Sequence, residues 1–364
     1  MGQKLKTYHL ELKVEGPVFI GSGSEIQKKE YLFLNKSTVG VADSVKLYQL
    51  AKKMHLERDF EKFMVQDTRE DLKHWSIRNH VSQNELKKCM RYMVDAGDIQ
   101  WNRGKMQIMS CMSDPYGNPY VPGSSLKGML RTILLNADII KNHHKYKFDM
   151  DQIQKELRGP RKSKNILSRN IVAIEKKAFI LNQMIDEEKV EIDKMSGIII
   201  SDSEPLSRDD IILCQKWERH VDGTYKTLNL LRECIKPGTI IKSTLTIDET
   251  VSNLKIEDIL EAVTLFYEQY YKVFQSKFRG SDRKNPHTVF LGGGSGFVSK
   301  TVVYSLFGEK QGIEIVKDIF DKTKVPENHK HYKDTRLGVS PHILKCTCYK
   351  GKEHMMGQCQ INIF

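Results

Sequence analysis

No stretch of this 364-residue chain approaches the roughly 20 apolar residues that a membrane helix needs. The start, Met1-Gly2-Gln3-Lys4-Leu5-Lys6, lacks the apolar segment of a secretory signal, and Lys6 stands where a myristoylation pattern needs Ser or Thr. Cysteine is scarce, seven residues in an odd and irregular set, which excludes a disulfide framework and fits a reducing compartment. A cytoplasmic location without membrane contact is therefore expected. Acidic residues are outnumbered 46 to 58, giving a formal net charge of +12. That excess favours a polyanionic partner or simply keeps the chain in solution, and composition alone leaves both open.

Several catalytic and cofactor patterns are missing too. Gly292-Gly293-Gly294-Ser295-Gly296 is not followed by the Gly-Lys-Ser/Thr of a Walker A loop, and no later acidic residue completes a dinucleotide fingerprint. Cys346, Cys348, His354 and Cys359 fall in one short region, but their spacing is not that of a structural zinc site, and His329-Lys330-His331 offers no better pattern. No metal and no cofactor is expected. No nucleophile with its base is evident, and Asp202 and Asp282 are isolated loop acids. The pair His143-His144 is the one place where a general acid and base could meet a phosphodiester, so an endoribonuclease stays as the alternative to a non-catalytic protein.

What is present is a mixture of strand and helix periodicities. Tyr8, Leu10, Leu12 and Val14 alternate with polar residues as in a half-buried strand, and residues 30–42 read as a hairpin. Residues 43–97 read as a helical insertion, with Asp43-Ser44 as a cap, Thr68-x-x-Asp71 and Ser82-x-x-Glu85 as capping boxes, and Gly97 as the stop. Leu126, Met129, Leu130, Ile133 and Leu134 mark the inner face of a helix that opens at Ser124-Ser125. Residues 141–177 are basic and poor in structural signals, a mobile loop on this reading. Strands are expected over 197–203 and 239–247, with a long helix through Ile259, Val263, Tyr267, Tyr270 and Phe274. A helix carrying Val298, Val302 and Leu306 inward should follow the glycines, then two terminal strands, 342–349 and 357–364, joined by a polar turn at Lys350. Each half repeats a strand-helix-strand-strand order. The expected fold is thus α+β, two modules spanning 1–189 and 190–364.

Two segments suit anion binding. Glycines between a strand and a helix let backbone N–H groups approach a phosphate, so Gly292, Gly293, Gly294, Ser295 and Gly296, with Lys300 a turn later, form one candidate; a tight structural turn is the competing reading. Ser124 and Ser125 at a helix start, with Lys127 and Arg131 beside them, form the other, against a plain N-cap with surface charges.

Taken in order, Gly21-Ser22-Gly23, Val121-Pro122-Gly123-Ser124-Ser125-Leu126-Lys127-Gly128-Met129-Leu130-Arg131, Ile200-Ser201-Asp202-Ser203, Phe290-Leu291-Gly292-Gly293-Gly294-Ser295-Gly296 and Gly338-Val339-Ser340-Pro341-His342 resemble the RAMP superfamily of CRISPR proteins. Within it the chain is most similar to the family of fifth Csm subunits of type III-A effector complexes. The resemblance implies ferredoxin-like, RRM-related modules and a non-catalytic guide-RNA (crRNA)-binding subunit near the crRNA 3′ end. It also implies the repeated RAMP backbone subunit and the small helical Csm subunit as neighbours, and external nucleases for guide maturation. It makes Gly292, Gly293, Gly294 and Gly296 the counterpart of the family's RNA-contacting loop, with Ser124, Ser125, Lys127 and Arg131 lining the adjoining groove; Gly21, Ser22, Gly23, Ser295 and Lys300 complete the RNA-binding set expected here. A protein scaffold that recruits nucleases is the remaining alternative. The aromatic signature of an RRM sheet is absent, so phosphate and backbone contacts are expected rather than stacked bases.

Overall fold

The computed structural model describes residues 5–66, 70–100, 106–160, 166–185 and 188–364. Alternation builds its first strand, Leu5–Val14, in which Leu10, Leu12 and Val14 are fully buried and the residues between face outward. This strand is the middle of a five-stranded antiparallel sheet. On one side it pairs with Ile240–Asp248, which pairs in turn with Ile198–Ile200. On the other it pairs with the terminal strand Gln358–Ile363, which pairs with Thr288–Phe290. The helices Gly123–Lys141 and Ile256–Val273 pack on one another and against the outer strands of this sheet, burying Leu126, Leu130, Ile259, Val263 and Tyr267.

Along the chain these elements run strand, helix, strand, strand, helix, strand, the ferredoxin-like order. The terminal strand Gln358–Ile363 is inserted between the first strand and the sixth element. The sequence expectation of a ferredoxin-like α+β fold holds, but the division at residue 189 does not separate the sheets. Both the five-stranded sheet and a second, nine-stranded one draw strands from either side of it. The second sheet is centred on the hairpin Ile211–His220 and Tyr225–Ile235. Gln107–Cys111 and Gly21–Ile26 continue it on one side, and Met90–Asp95, Thr38–Ala42 and Tyr31–Phe33 on the other.

Three expectations are corrected. The helical insertion ends at Lys88, where the Ser82 capping box has set its last helix; Met90–Asp95 is a strand paired with Thr38–Ala42, because Met90 and Val94 alternate inward with exposed neighbours. Asp71 caps the helix Leu72–Arg78, while Thr68 lies outside the described residues. Within 141–177 the described residues form no loop: the helices Lys147–Arg158 and Ile166–Phe179 bury Ile153, Leu157, Ile174 and Ala178, and a buried Asp149 is paired with Lys177 at 2.5 Å, while residues 161–165 lie outside the described residues. Finally, the turn at Lys350 joins Ile343–Tyr349 to Lys352–Met355, not to the terminal strand, which crosses to the other sheet. Among the described residues no helix is long and apolar enough to cross a membrane.

Candidate nucleic-acid interface

The glycine-rich turn leaves the strand Thr288–Phe290 and lies against the segment that follows the first strand. Gly293 donates its N–H to the Phe19 carbonyl at 2.7 Å. Gly292 adopts φ +79°, and a Cβ there would lie 2.3 Å from the same carbonyl oxygen, so no other residue fits without moving backbone. The turn is braced from inside by Ser295, whose buried Oγ donates to the Gly292 carbonyl at 3.3 Å and lies 3.2 Å from Ser299 Oγ. Ser295 therefore holds the loop's shape and does not face a ligand.

Between this turn and the Gly123–Lys141 helix is a cavity of about 320 Å³. Gly21, Gly292, Gly293 and Lys300 line one side, and Ser125, Gly128 and Thr132 the other, one face of the helix at intervals of three and four residues. Gly128 is helical and a Cβ there would meet nothing within 4 Å. Neither its dihedrals nor its packing requires glycine, which costs an exposed helix position about 1 kcal/mol relative to alanine. What glycine does at 128 is keep the cavity open. No carboxylate lines it, while Lys300 has no ion-pair partner among the described residues, and partial desolvation lowers its pKa from the ordinary lysine value.

The other side of the turn meets cations that sequence reasoning passed over. Arg232 lies against Gly294, where a Cβ would come 2.8 Å from its Nη1, and is stacked over Phe19 with its guanidinium carbon 5.3 Å from the ring centre. Its Nε has no hydrogen-bond partner among the described residues, and burial lowers its pKa. Lys345 lies under Gly296 and shares Glu218 with Lys216, at 2.5 and 3.6 Å. The signal was a cation within a largely buried run of strand, Lys216 in 211–219, Arg232 in 231–235 and Lys345 in 343–349, which is costly unless something on that face wants positive charge.

The helix-start candidate is dispersed. The helix opens at Gly123 after Pro122, and its first N–H is taken by the Asp202 carboxylate at 2.7 Å, a negative group where an anion was expected. Arg131 is committed to Glu175 at 2.9 Å and Asp193 at 3.6 Å and stacks on Phe179 at 4.7 Å. Ser124 is exposed, Ser125 reaches the cavity, and Lys127 is half-buried without a carboxylate partner among the described residues. Gly21, Ser22 and Gly23 form an exposed strand edge, with Ser22 Oγ 2.6 Å from Ser110 Oγ. His143 is tied by its ring to the Leu306 carbonyl at 2.6 Å, and His144 is an exposed neighbour. The cysteine group does not converge: Cys346 and Cys359 are core residues, Cys348 lies against Asp98, and the His354 ring lies against the Glu15 carbonyl.

A sequence profile described as the RAMP superfamily matches residues 11–295. A protein of Mycobacterium tuberculosis (strain CDC 1551) named CRISPR system Cms protein Csm5 is 28% identical over an alignment covering 100% of this chain and 99% of its own length. Its namesake from Streptococcus thermophilus is 27% identical, covering 86% and 84%. Two solved structures share the fold at 17% identity. A chain of a Csm–crRNA–target RNA ternary complex from a type III-A CRISPR-Cas system gives a TM-score of 0.65, covering 98% of this chain and 100% of that one. The crystal structure of T. onnurineus Csm5 gives 0.62, covering 96% and 99%.

Proposed function

The chain belongs to the RAMP superfamily, and on that premise we propose that it is a crRNA-binding subunit of a type III-A CRISPR effector complex, which holds its guide by the phosphates and does not cut it. The observation that carries this reading is the cavity between the glycine turn and the Gly123–Lys141 helix: backbone at Gly21, Gly292 and Gly293, a helix face opened by Gly128, and the cation Lys300, with neither an ion-pair partner for it nor a lining carboxylate among the described residues. Such a surface recognises a phosphate chain and is indifferent to base identity, which suits a subunit that must carry any guide.

Gly21, Ser125, Gly292, Gly293 and Lys300 are the direct contacts on this reading, with Gly294 and Gly296 bordering the cations Arg232 and Lys345. Lys127 extends the charge along the helix. Ser22, Gly23 and Ser124 would meet the chain as it leaves the cavity. The subunit ends the RAMP backbone near the crRNA 3′ end, beside the repeated backbone subunit and the small helical subunit. It supports crRNA maturation for antiviral defence, with the cutting done by external nucleases. The likeness to a chain solved within a Csm–crRNA–target RNA complex, with relatives named Csm5, supports crRNA and other Csm subunits as its partners.

The test is binding of labelled crRNA-length RNA to the full chain across salt, with cleavage followed in parallel, with and without divalent metal. The expected result is salt-dependent binding with little sequence preference and intact RNA. Site-specific cleavage lost in His143→Ala would establish the nuclease instead. Binding no tighter than to a neutral polymer, with partner subunits still bound, would establish a pure scaffold.

A further inference from the structure

A buried polar cluster lies outside the cavity on which the proposed function rests. His331, Asp334 and His342 converge with all three side chains buried, one ligand atom of each lying within 4.8 Å of the others. Both imidazoles present the same nitrogen, Nδ1, to the one carboxylate, His331 at 3.0 Å and His342 at 2.5 Å. Ser340 Oγ donates to it at 2.5 Å. Asp334 is completely buried, yet among the described residues no Lys or Arg pairs with it. Such a carboxylate is costly unless its charge is compensated.

We propose that His331, Asp334 and His342 bind one divalent transition-metal ion of the zinc type, with Ser340 Oγ or a water in the fourth position. Two imidazoles and one carboxylate are the borderline donor set that zinc accepts, whereas calcium and magnesium prefer oxygen donors throughout. The ion would supply the positive charge that compensates Asp334, and each imidazole would ligate through Nδ1 once the proton there has moved to Nε2 or been released to solvent. Its place gives it a structural task. His331 packs on Phe320 with ring centres 4.4 Å apart, and Phe320 on Phe297, the residue after Gly296, at 5.2 Å. His342 immediately precedes the strand that sets Lys345 under Gly296. Ser340 is itself fixed by Tyr304, whose hydroxyl donates to the Ser340 carbonyl at 2.6 Å. A metal here would tie the 331–337 segment to the strand that backs the turn.

The test strips the full chain with a chelator and returns zinc alone. Elemental analysis should find one zinc per chain, and the melting midpoint should rise with zinc. In His342→Gln and in Asp334→Asn the zinc affinity should fall at least about tenfold. Should a variant fail to fold, cobalt substitution of the wild-type chain decides: a tetrahedral visible spectrum without a thiolate charge-transfer band supports the site. A wild-type chain that takes up no zinc, a midpoint indifferent to zinc and chelator, or a cobalt spectrum with thiolate bands would overturn it and leave the cluster a hydrogen-bond network.

Discussion

The glycine turn at 292–296 and the helix start at 123–131 carry similar promise as motifs and differ once their bonds are counted. At the helix start the first N–H, that of Gly123, is capped by Asp202 and the guanidinium of Arg131 is bound by Glu175 and Asp193. At the turn, Lys300 and Arg232 have no carboxylate partner among the described residues, and the backbone lies on a cavity without acids. A charge motif becomes an anion site only where its charge is not already spent within the fold. What the helix contributes is the face of Ser125, Gly128 and Thr132, not its dipole.

The contrast can be broken most forcefully at Gly128. Gly128→Leu places a side chain into open space and should leave the melting midpoint equal or higher, yet weaken RNA binding by roughly tenfold or more, because the cavity is filled. Fluorescence anisotropy with thermal melts reads both. Retained affinity would mean that RNA passes elsewhere.

A smaller effect of opposite kind is expected at Arg131. Arg131→Ala removes a paired cation and its ring contact and should cost about 1–2 kcal/mol in denaturant unfolding. The RNA affinity of the folded protein should stay within about twofold, on the order of the 0.4 kcal/mol that a distant site contributes. The smallest change sharpens the comparison. Asp202→Asn weakens a helix cap by about 0.5–1 kcal/mol, and by removing the negative charge it should raise RNA affinity slightly, a gain lost at high salt.

Much of this was legible in the sequence because it rests on local period. The strand at 5–14, the hairpin at 31–42, the helices through 126–134 and 259–274 and the turn at 292 all follow from spacing alone. The helix 147–158 escaped because few apolar residues anchor it among many charges, whereas in 166–179 the helical spacing of Leu167, Ile171, Ile174 and Ala178 was legible but follows directly on a basic run; Asp149–Lys177 is a long-range pair. Periodicity likewise identified the terminal strands but not their partners, since pairing of residue 361 with residue 12 is set by the whole sheet. Arg232 and Lys345 join the turn only through strand pairing, and His331, Asp334 and His342 converge through a bend in the chain that no regular spacing announces.

The most direct measurement is the salt dependence of RNA binding for Lys300→Ala beside Arg131→Ala. Loss of one phosphate contact on a single strand reduces the slope of log affinity against log salt by about 0.7. Such a reduction is predicted for Lys300→Ala, together with weaker binding, and an unchanged slope for Arg131→Ala. The opposite pattern, an unchanged slope at Lys300 and a reduced one at Arg131, would contradict the account and return the RNA to the helix start.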